Sequence, residues 1–407
     1  MNKLPWYKEV TSTQKKALFA AWLGYVFDGF DYMLITYVLL DIQQEFSMTA
    51  TETSTLLLAA FVARPLGGAL FGSFADKYGR RSAMIVSILV YSVGTFLCGL
   101  SLNYIWLFIF RMIVGMGMAG EYACSSSYAI ESWPQHLRTK ASAFLVSGFS
   151  IGNILASQVI PHISEHYGWR IAFFVGLLPV VLVLYVRRHA PESEEWQAAK
   201  DQGKVQSVPL FKLFTRQQLP LTLVIFAVCY SIFSVNWPVI SLLPLYLKEN
   251  GYAESIKSLM FFAGFGILIG TLLSGFIGDK LGEKKTFMLS LILSLFFLFP
   301  VFYLQENSTV LLGLLLFLLM GTNLGIAGLV PKYMATFFPP EFRSVGIGFI
   351  YNFAAIGGGV APVIAAKLSE QFGMGKSLVY VTLFWTLAIL LLVGLRVPER
   401  IQANMKK

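Results

Sequence analysis

Twelve apolar stretches of about 20 residues or more run through this chain of 407 residues. A helix of about 20 apolar residues spans the hydrocarbon layer of a bilayer, and only structures that pair their own backbone groups can remain in that layer. The sequence therefore predicts an all-α integral membrane protein with twelve transmembrane helices. The predicted spans are residues 17–40, 52–75, 82–102, 104–129, 139–162, 168–187, 219–247, 255–279, 286–304, 308–335, 343–366 and 377–396.

The composition and the placement of the basic residues agree with this class. Hydrophobic residues make up 56% of the chain and charged residues 13%, about half the charged share of a soluble domain. The net charge is +9, but the basic residues flank the apolar stretches, which disfavours a nucleic-acid partner. Of the 31 Lys and Arg residues, 24 fall on the side shared by both termini and 5 on the other. The positive-inside rule therefore predicts that both termini are cytoplasmic.

Two segments recur at a nearly constant offset along the chain. Residues 72–81 and 275–285 share a Gly-x-x-x-Asp-Lys-x-Gly pattern 203 positions apart, and residues 133–138 and 338–343 are related at 205 positions. Both pairs follow equivalent spans, which predicts a duplicated six-helix unit, and transporters built from repeats commonly bind substrate where the repeats meet. The predicted parts are two pseudo-symmetric six-helix bundles, residues 1–187 and 219–407, and a cytoplasmic linker, residues 188–218.

Two aspartates, Asp28 and Asp31, lie near the middle of the first span. A carboxylate at mid-bilayer depth costs about 2.5–3.5 kcal/mol on insertion scales, and such residues are functional as a rule. Residues three apart share a helix face, and two neighbouring carboxylates in a medium of low dielectric do not easily both stay ionised. The pair is therefore predicted to carry protons, with Glu121 of the fourth span as a further member. The alternative is a structural pair held by a cation.

Two arginines also fall inside predicted spans, Arg64 in the second and Arg111 in the fourth. A buried guanidinium needs an anionic partner, and the aspartates of the first span lie at a similar depth to Arg64. The same planar group suits the carboxylate of a substrate. Arg64 is therefore either a structural counter-ion or a ligand of the substrate carboxylate, and both roles are open. Arg111 is the second choice as ligand of that carboxylate.

The second half carries neutral polar residues where the first half carries mid-span charge. Such residues suit the hydroxyl and amide groups of a polyol-like ligand, although each one alone is also typical of helix packing. Pro238 and Pro244 are expected to interrupt the seventh span and to free backbone groups. The predicted substrate-binding residues are Arg64, Arg111, Tyr25, Tyr32, Tyr122, Asn236, Trp237, Asn323, Tyr351 and Asn352.

The repeated glycine-containing element follows the second and the eighth spans. Its glycines allow a tight turn between two helices. Asp76 can accept hydrogen bonds from the amides of a neighbouring helix or from a cation, and the basic residues hold the loop at the cytoplasmic face. An anchor of positive charge alone is the other interpretation. The residues of this element are Gly72, Asp76, Gly79, Arg80 and Arg81, with Asp279 in the second copy.

This element is typical of the major facilitator superfamily, which the whole chain resembles. The Asp28-Gly-Phe-Asp31 segment is similar to organic-acid/proton symporters of that superfamily. The residues that resemble its bacterial sialic acid/proton symporters are 5–7, 21–25, 115–122, 130–134, 329–332 and 348–352. The resemblance implies a conformational latch at the repeated element and proton-driven uptake of N-acetylneuraminate across a bacterial inner membrane. Some sialate symporters carry two further helices between the halves, for which residues 188–218 are too short and too polar.

Other functions receive less support from the residues. A proton symporter for another organic acid, of the shikimate or aromatic carboxylate type, is the main alternative, and a drug exporter is another. The chain lacks the nucleophile–base spacing of an enzyme, and two latch copies suit alternating access better than a channel. The histidines lack metal-ligand spacing, so neither a metal nor a cofactor is expected. The protein is expected to be monomeric. Its expected partners are protons, the lipid bilayer and a small anionic sugar acid.

Overall fold

The computed structural model describes residues 6–48, 50–189, 191–202, 210–303, 308–338 and 343–405. Within these ranges the regular structure is helical, and twelve helical stretches are long and apolar enough to span a membrane. The predicted all-α membrane fold is therefore confirmed. The twelve stretches are Ser12–Leu39, Thr55–Tyr78, Arg80–Gly99, Tyr104–Ala129, Gln135–Tyr167, Trp169–Val186, Leu219–Pro244, Ile256–Leu281, Glu283–Tyr303, Thr309–Ala335, Gly346–Phe372 and Met374–Met405.

The chain divides into two compact units. The first consists of Met1–Leu210 together with Phe338–Asn352, and the second of Phe211–Phe337 together with Phe353–Lys407. The bundle and linker boundaries given above remain predictions. Parts of the segments named in the sequence analysis lie outside the described residues, namely residues 1–5, 49, 304–307, 339–342 and 406–407 of the predicted bundles and residues 190 and 203–209 of the linker.

Helices account for most of both units. Those before the predicted second bundle are α1 (Trp6–Glu9), α2 (Ser12–Glu45), α3 (Ala50–Tyr78), α4 (Arg80–Gly99), α5 (Tyr104–Ser132), α6 (Arg138–Tyr167), α7 (Trp169–Phe174), α8 (Pro179–His189) and α9 (Glu194–Asp201). Those after it begins are α10 (Leu219–Glu249), α11 (Ile256–Leu281), α12 (Glu283–Tyr303), α13 (Thr309–Asn323), α14 (Val330–Ala335), α15 (Arg343–Ala354), α16 (Ile356–Phe372), α17 (Met374–Gly394) and α18 (Val397–Met405). Short 3₁₀ segments, Val175–Leu177 and Gly325–Leu329, join α7 to α8 and α13 to α14.

Close helix packing in the first unit holds α2 against α6 and α3 against α5. Gly152 of α6 faces the Val26 carbonyl of α2, and Gly115 of α5 faces the Ala60 carbonyl of α3, without space for a Cβ atom at either glycine. Small residues allow membrane helices to approach in this way. The polar side chains of these helices are thereby held near one another.

The two copies of the glycine-containing element form the same backbone turn. Gly79 lies between α3 and α4 with a φ of 100°, and Gly282 lies between α11 and α12 with a φ of 85°. This left-handed region is open to glycine and costly for residues with a Cβ atom. The shared turn agrees with the duplication indicated by the sequence pattern.

The expectation that Pro238 and Pro244 interrupt the seventh span is wrong. The helix α10 runs without interruption from Leu219 to Glu249 and contains both Pro238 and Pro244. A proline inside a helix removes a backbone donor, but helices in membranes tolerate it because neighbouring groups and local adjustments satisfy the freed carbonyl.

Candidate functional site

Asp31 lies on α2 in a fully enclosed position of the first unit. Its side chain is only 1% exposed, and its Oδ2 accepts a hydrogen bond of 2.7 Å from the Thr95 hydroxyl of α4. Arg111 of α5 is close enough to attract the carboxylate electrostatically. The 3₁₀ segment between α7 and α8 packs against Asp31 and Thr95, because a Cβ atom at Gly176 would clash with the Thr95 side chain and would come within 3.3 Å of Oδ1 of Asp31. Asp31 is therefore positioned by four separate elements.

Asp28 has different neighbours from Asp31 although the two residues are one helical turn apart. It is also 1% exposed. The charged groups that act on its carboxylate are Glu121 and Arg64, and the electrostatic influence of Asp31 is weaker than that of either. Glu121 of α5 is buried, accepts a hydrogen bond of 2.5 Å from the Ser125 hydroxyl and lies against Gly24 of α2. The first unit thus brings three predicted proton carriers into one buried cluster.

Arg64 reaches this cluster from α3. Its Nε donates a hydrogen bond of 3.0 Å to Oδ1 of Asn352, and the Asn352 amide donates in turn to the Gly348 carbonyl at 2.7 Å. Both residues of α15 belong to the first compact unit. Arg64 also attracts Asp28 and Glu121 electrostatically. A hydrogen-bonded amide therefore orients the guanidinium within electrostatic reach of two carboxylates.

Arg111 is the largest fully buried side chain of the described residues. None of its three guanidinium nitrogens has a hydrogen-bond acceptor within the part of the chain that the structure describes. Buried polar groups are satisfied as a rule, and each exception calls for an explanation. Asp31 and Arg111 attract each other electrostatically, but the N–H donors of the Arg111 guanidinium have no bonded acceptor among the described residues.

The predicted tyrosines form one continuous aromatic row in the first unit. Tyr351 stacks on Tyr122 with ring centres 4.1 Å apart, and Tyr122 contacts Tyr25 at 5.6 Å. Phe149 of α6 extends the row, at 5.8 Å from Tyr25 and 6.1 Å from Tyr32. Tyr25 is also within electrostatic reach of the Asp28, Glu121 and Arg64 cluster. All four tyrosines therefore lie beside the charged groups, and Phe149 is a member that the sequence analysis missed.

The other three predicted substrate-binding residues belong to the second unit. Asn236 is buried, and its Oδ1 has no hydrogen-bond donor in the described ranges. Trp237 is partly buried and packs against Gly358 of α16. Asn323 is fully buried at the end of α13, and neither polar atom of its amide has a partner among the residues that are described. Each of these polar side chains therefore lies inside the protein.

The predicted latch is a dense polar network at the junction of α3 and α4. The Arg80 guanidinium donates to Asp76 at 2.9 Å and to Glu131 of α5 at 3.1 Å. Its backbone amide donates to Glu192 at 2.8 Å, and the amide of Arg81 donates to the same oxygen at 3.2 Å. Carboxylates stabilise helix N-termini, where the amides and the helix dipole carry positive charge. Glu192 therefore caps α4, whereas Asp76 takes the guanidinium, the second of the two options that the sequence left open.

The segment around Glu192, from Pro191 to α9, is attached to the same network. Ser193 donates to Glu131 at 2.6 Å, and the buried Trp196 donates from Nε1 to the Asp76 carbonyl at 2.8 Å. The Tyr128 hydroxyl donates to the Pro191 carbonyl at 2.5 Å. Residues of the predicted linker thus fasten α9 to the first unit, a role that the sequence analysis missed. The acid and the tryptophan just after a membrane helix were the available signal.

Comparisons with known proteins decide the family. Residues 21–329 and 239–400 match the Major Facilitator Superfamily. The chain belongs to the major facilitator superfamily. The Sialic acid transporter NanX of Escherichia coli (strain K12) is 51% identical over 397 residues, which is 97% of each protein. The Probable 4-methylmuconolactone transporter of Cupriavidus pinatubonensis is 27% identical and covers 92% of this chain and 88% of its own length.

The fold comparison agrees with this membership. The structure of the proton:xylose symporter XylE bound to 6-bromo-6-deoxy-D-glucose superposes with a TM-score of 0.73 at 20% sequence identity, over 93% of this chain and 95% of the other. A major facilitator superfamily member of this kind is a transporter of a small molecule, spans a bacterial inner membrane many times and is not an enzyme. These parts of the sequence-based interpretation are confirmed.

The second copy of the superfamily's glycine-containing element is built differently. Glu283 pairs with Lys332 of α14, and Lys284 pairs with Glu399 of α18 at 3.5 Å. Asp279 is partly buried at the end of α11. The second unit therefore fastens α14 through one acid–lysine pair and its terminal helix α18 through the other.

Replacement of Glu192 by alanine is expected to lower the melting temperature of the purified protein by several degrees. Loss of a helix cap costs about 0.5–2 kcal/mol, and the change also weakens the attachment of α9. Thermal unfolding in detergent, followed by tryptophan fluorescence, measures the effect. Asp201→Ala is the matched control, because this exposed carboxylate at the end of α9 accepts a hydrogen bond from Gln197 of the same helix. Equal melting temperatures for the two variants would contradict the capping role.

Proposed function

We propose that this chain takes up sialic acid, N-acetylneuraminate, together with protons. The observation that carries the proposal is the buried group of three carboxylates and two arginines in the first unit. The 51% identity to a sialic acid transporter over 97% of the chain supports the choice of substrate. The resemblance of the Asp28–Asp31 segment to organic-acid/proton symporters supports the coupling.

Asp31 is proposed as the main proton carrier, with Asp28 and Glu121 as partners. Each carboxylate is enclosed, and charges interact more strongly where the dielectric constant is low. Protonation of one carboxylate therefore has a strong effect on the other charges of the cluster. Protonation of Asp31 weakens the attraction on Arg111, and protonation of Asp28 or Glu121 weakens that on Arg64. Proton binding thereby makes a guanidinium available to an anion.

Arg64 is proposed as the ligand of the sialate carboxylate, with Arg111 as the second choice. Arginine binds a carboxylate through two parallel hydrogen bonds, and the Arg64 side chain is already oriented by Asn352. The tyrosine row offers flat apolar surface and hydroxyl groups to the sugar ring. Asn236, Trp237 and Asn323 are proposed to contact the glycerol and N-acetyl portions during alternating access.

Electrical work explains why an importer of an anion gains from protons carried with the substrate. Moving one negative charge inward against an inside-negative potential costs about 2.3 kcal/mol per 100 mV. One proton carried with each sialate cancels this cost, and any further proton adds drive. We also propose that both termini lie in the cytoplasm, on the basis of the unequal distribution of Lys and Arg over the two sides. The monomeric state remains a prediction.

Uptake of labelled N-acetylneuraminate into proteoliposomes tests the proposal. An inward proton gradient is expected to drive accumulation above the external concentration, and an uncoupler is expected to collapse it. Loaded vesicles without a gradient are expected to show counterflow, which measures exchange alone. Gradient-insensitive accumulation would contradict the coupling.

Another organic acid is the second candidate substrate, because the chain is also 27% identical to a 4-methylmuconolactone transporter. Competition separates the two candidates in the same vesicles. Unlabelled N-acetylneuraminate is expected to block uptake at concentrations at which shikimate and benzoate do not. Stronger inhibition by either of these acids would favour the second candidate.

A further inference from the structure

A groove runs along the outer surface of the second unit between α11, α12 and α13. Its volume is about 180 Å³, and leucine and isoleucine are the commonest of the described residues around it, together with glycines, a phenylalanine and four hydroxyl-bearing residues. Several of them are exposed in the folded chain, and all belong to predicted transmembrane spans. Residues that line the groove include Leu273 and Ile277 of α11, Leu289 and Leu293 of α12, and Phe317 of α13.

The polar atoms around the groove are bonded inside the protein. The Ser290 hydroxyl donates to the Thr322 carbonyl at 2.9 Å, and the hydroxyl of Thr286 donates to the Gly282 carbonyl at 3.0 Å. The Thr322 hydroxyl donates to the Leu318 carbonyl at 2.8 Å. The wall is therefore chemically apolar in spite of its hydroxyl-bearing residues.

The glycines of the groove are used for packing within the unit. Gly266 and Gly270 of α11 face the carbonyls of Phe317 and Gly321 on α13 with no space for a Cβ atom. Small residues spaced by four commonly mediate association of two membrane helices. This pair is occupied by α13, so the open part of the groove is formed by larger aliphatic side chains.

The length of the groove matches one leaflet of a bilayer. Its lining residues on α11 extend from Gly266 to Ile277, a rise of about 16 Å at about 1.5 Å per residue. Half of the hydrocarbon thickness of a bilayer is about 15 Å. The groove therefore begins at one membrane surface, near the turn at Gly282, and ends near the middle.

Two lysines continue the lining faces of the groove at the turn. Lys280 lies three residues after Ile277 on α11, and Lys285 lies four residues before Leu289 on α12, spacings that share a helix face. Both are exposed, and neither forms an ion pair with any residue in the described ranges. The neighbouring acid Glu283 is engaged with another lysine. Asp279, the other acid of this turn, is partly buried, so the exposed lysines give the end of the groove a positive surface charge.

We propose that this groove binds an anionic phospholipid of the cytoplasmic leaflet, with one acyl chain in the groove and the phosphate on Lys280 and Lys285. Basic groups at the ends of transmembrane helices attract anionic headgroups, and each lysine near the surface contributes to the attraction. The apolar wall takes the chain, since it offers no unsatisfied polar atom. This site is separate from the charged cluster of the first unit.

Native mass spectrometry of the full-length protein in detergent tests the charged part of the site. Phosphatidylglycerol is expected to be retained in preference to phosphatidylcholine. Lys280→Ala with Lys285→Ala is expected to reduce that preference by about 30-fold. Lys15→Ala with Lys16→Ala is the matched control, because it removes the same charge from two exposed lysines of α2 and is expected to leave the preference unchanged. An equal effect of the two pairs would overturn the proposal.

A second pair of variants tests the apolar part. Leu289→Trp fills the groove near its charged end. Ile292→Trp places the same side chain on an exposed face of α12, outside the residues that line the groove. The two positions are matched, because Leu289 is 47% exposed and Ile292 is 53% exposed. Only Leu289→Trp is expected to lower the retention of phosphatidylglycerol. Unchanged retention in both variants would show that lipid binds through charge alone. It would overturn the proposal that an acyl chain lies in the groove. A dimer that dissociates only in Leu289→Trp would show that a second copy of the chain occupies the groove. This result would overturn the proposal that the groove binds lipid.

Discussion

Replacement of Asp31 by asparagine is expected to abolish the accumulation of N-acetylneuraminate against its gradient. With one proton per sialate, a gradient of one pH unit supports about a tenfold accumulation, and the variant is expected to reach a ratio of about one. Asparagine has nearly the same shape and still accepts from Thr95, which bonds the native carboxylate at 2.7 Å. It does not bind or release a proton, so the driving gradient is no longer connected to the substrate.

Counterflow and a matched variant separate loss of coupling from loss of folding. The asparagine of Asp31→Asn leaves the Arg111 charge less well balanced, which destabilises a buried site, so counterflow without a gradient shows whether the variant is intact. Asp41→Asn is the control, because this exposed aspartate on the same helix accepts from Ser164 and is expected to keep full accumulation. Normal pH-driven uptake by the Asp31 variant would contradict its assignment as the proton carrier. If Asp28→Asn alone loses the accumulation of N-acetylneuraminate, the role of proton carrier belongs to Asp28.

The fold was largely predictable because the membrane imposes a simple rule on the sequence. A spanning segment must be long, apolar and helical, so counting apolar stretches gave the twelve spans. The turn at Gly79 and its counterpart at Gly282 was also predictable, since the left-handed conformation favours glycine. The continuity of the helix through Pro238 was not, because the tolerance of a proline depends on neighbouring packing that the local sequence does not specify.

The membership of the buried cluster was predictable, but its pairing was not. Ionisable residues within spans are rare and costly, and this rarity identified Asp28, Asp31, Glu121 and the two arginines. The partners depend on side-chain direction and helix rotation. Residues three apart on α2 therefore meet different groups, and Asn352 bonds Arg64 at a separation of 288 residues. Glu192 was missed for a related reason: an acid and a tryptophan just after a membrane helix indicate an attachment, but they do not specify which helix the carboxylate caps.

Replacement of Arg64 by glutamine is expected to weaken the binding of N-acetylneuraminate by about 10- to 150-fold. A hydrogen bond to a charged group contributes about 1.5–3 kcal/mol, and glutamine keeps a donor but loses the charge and the planar fork. Substrate affinity is measured by competition in counterflow, which does not require a proton gradient. Asn352→Ala removes the 3.0 Å bond to Arg64 without removing the charge, and a smaller loss is expected from it.

The methyl ester of N-acetylneuraminate separates a ligand from a structural counter-ion. The native protein is expected to bind the acid more tightly than the ester, because the ester lacks the negative charge that the guanidinium binds. If Arg64 holds the carboxylate, Arg64→Gln reduces this preference to about one, as coupling between contacting groups requires, whereas Arg111→Gln retains it. A counter-ion for Asp28 and Glu121 would instead weaken acid and ester equally. Loss of the preference in Arg111→Gln alone would move the carboxylate to the buried fork beside Asp31.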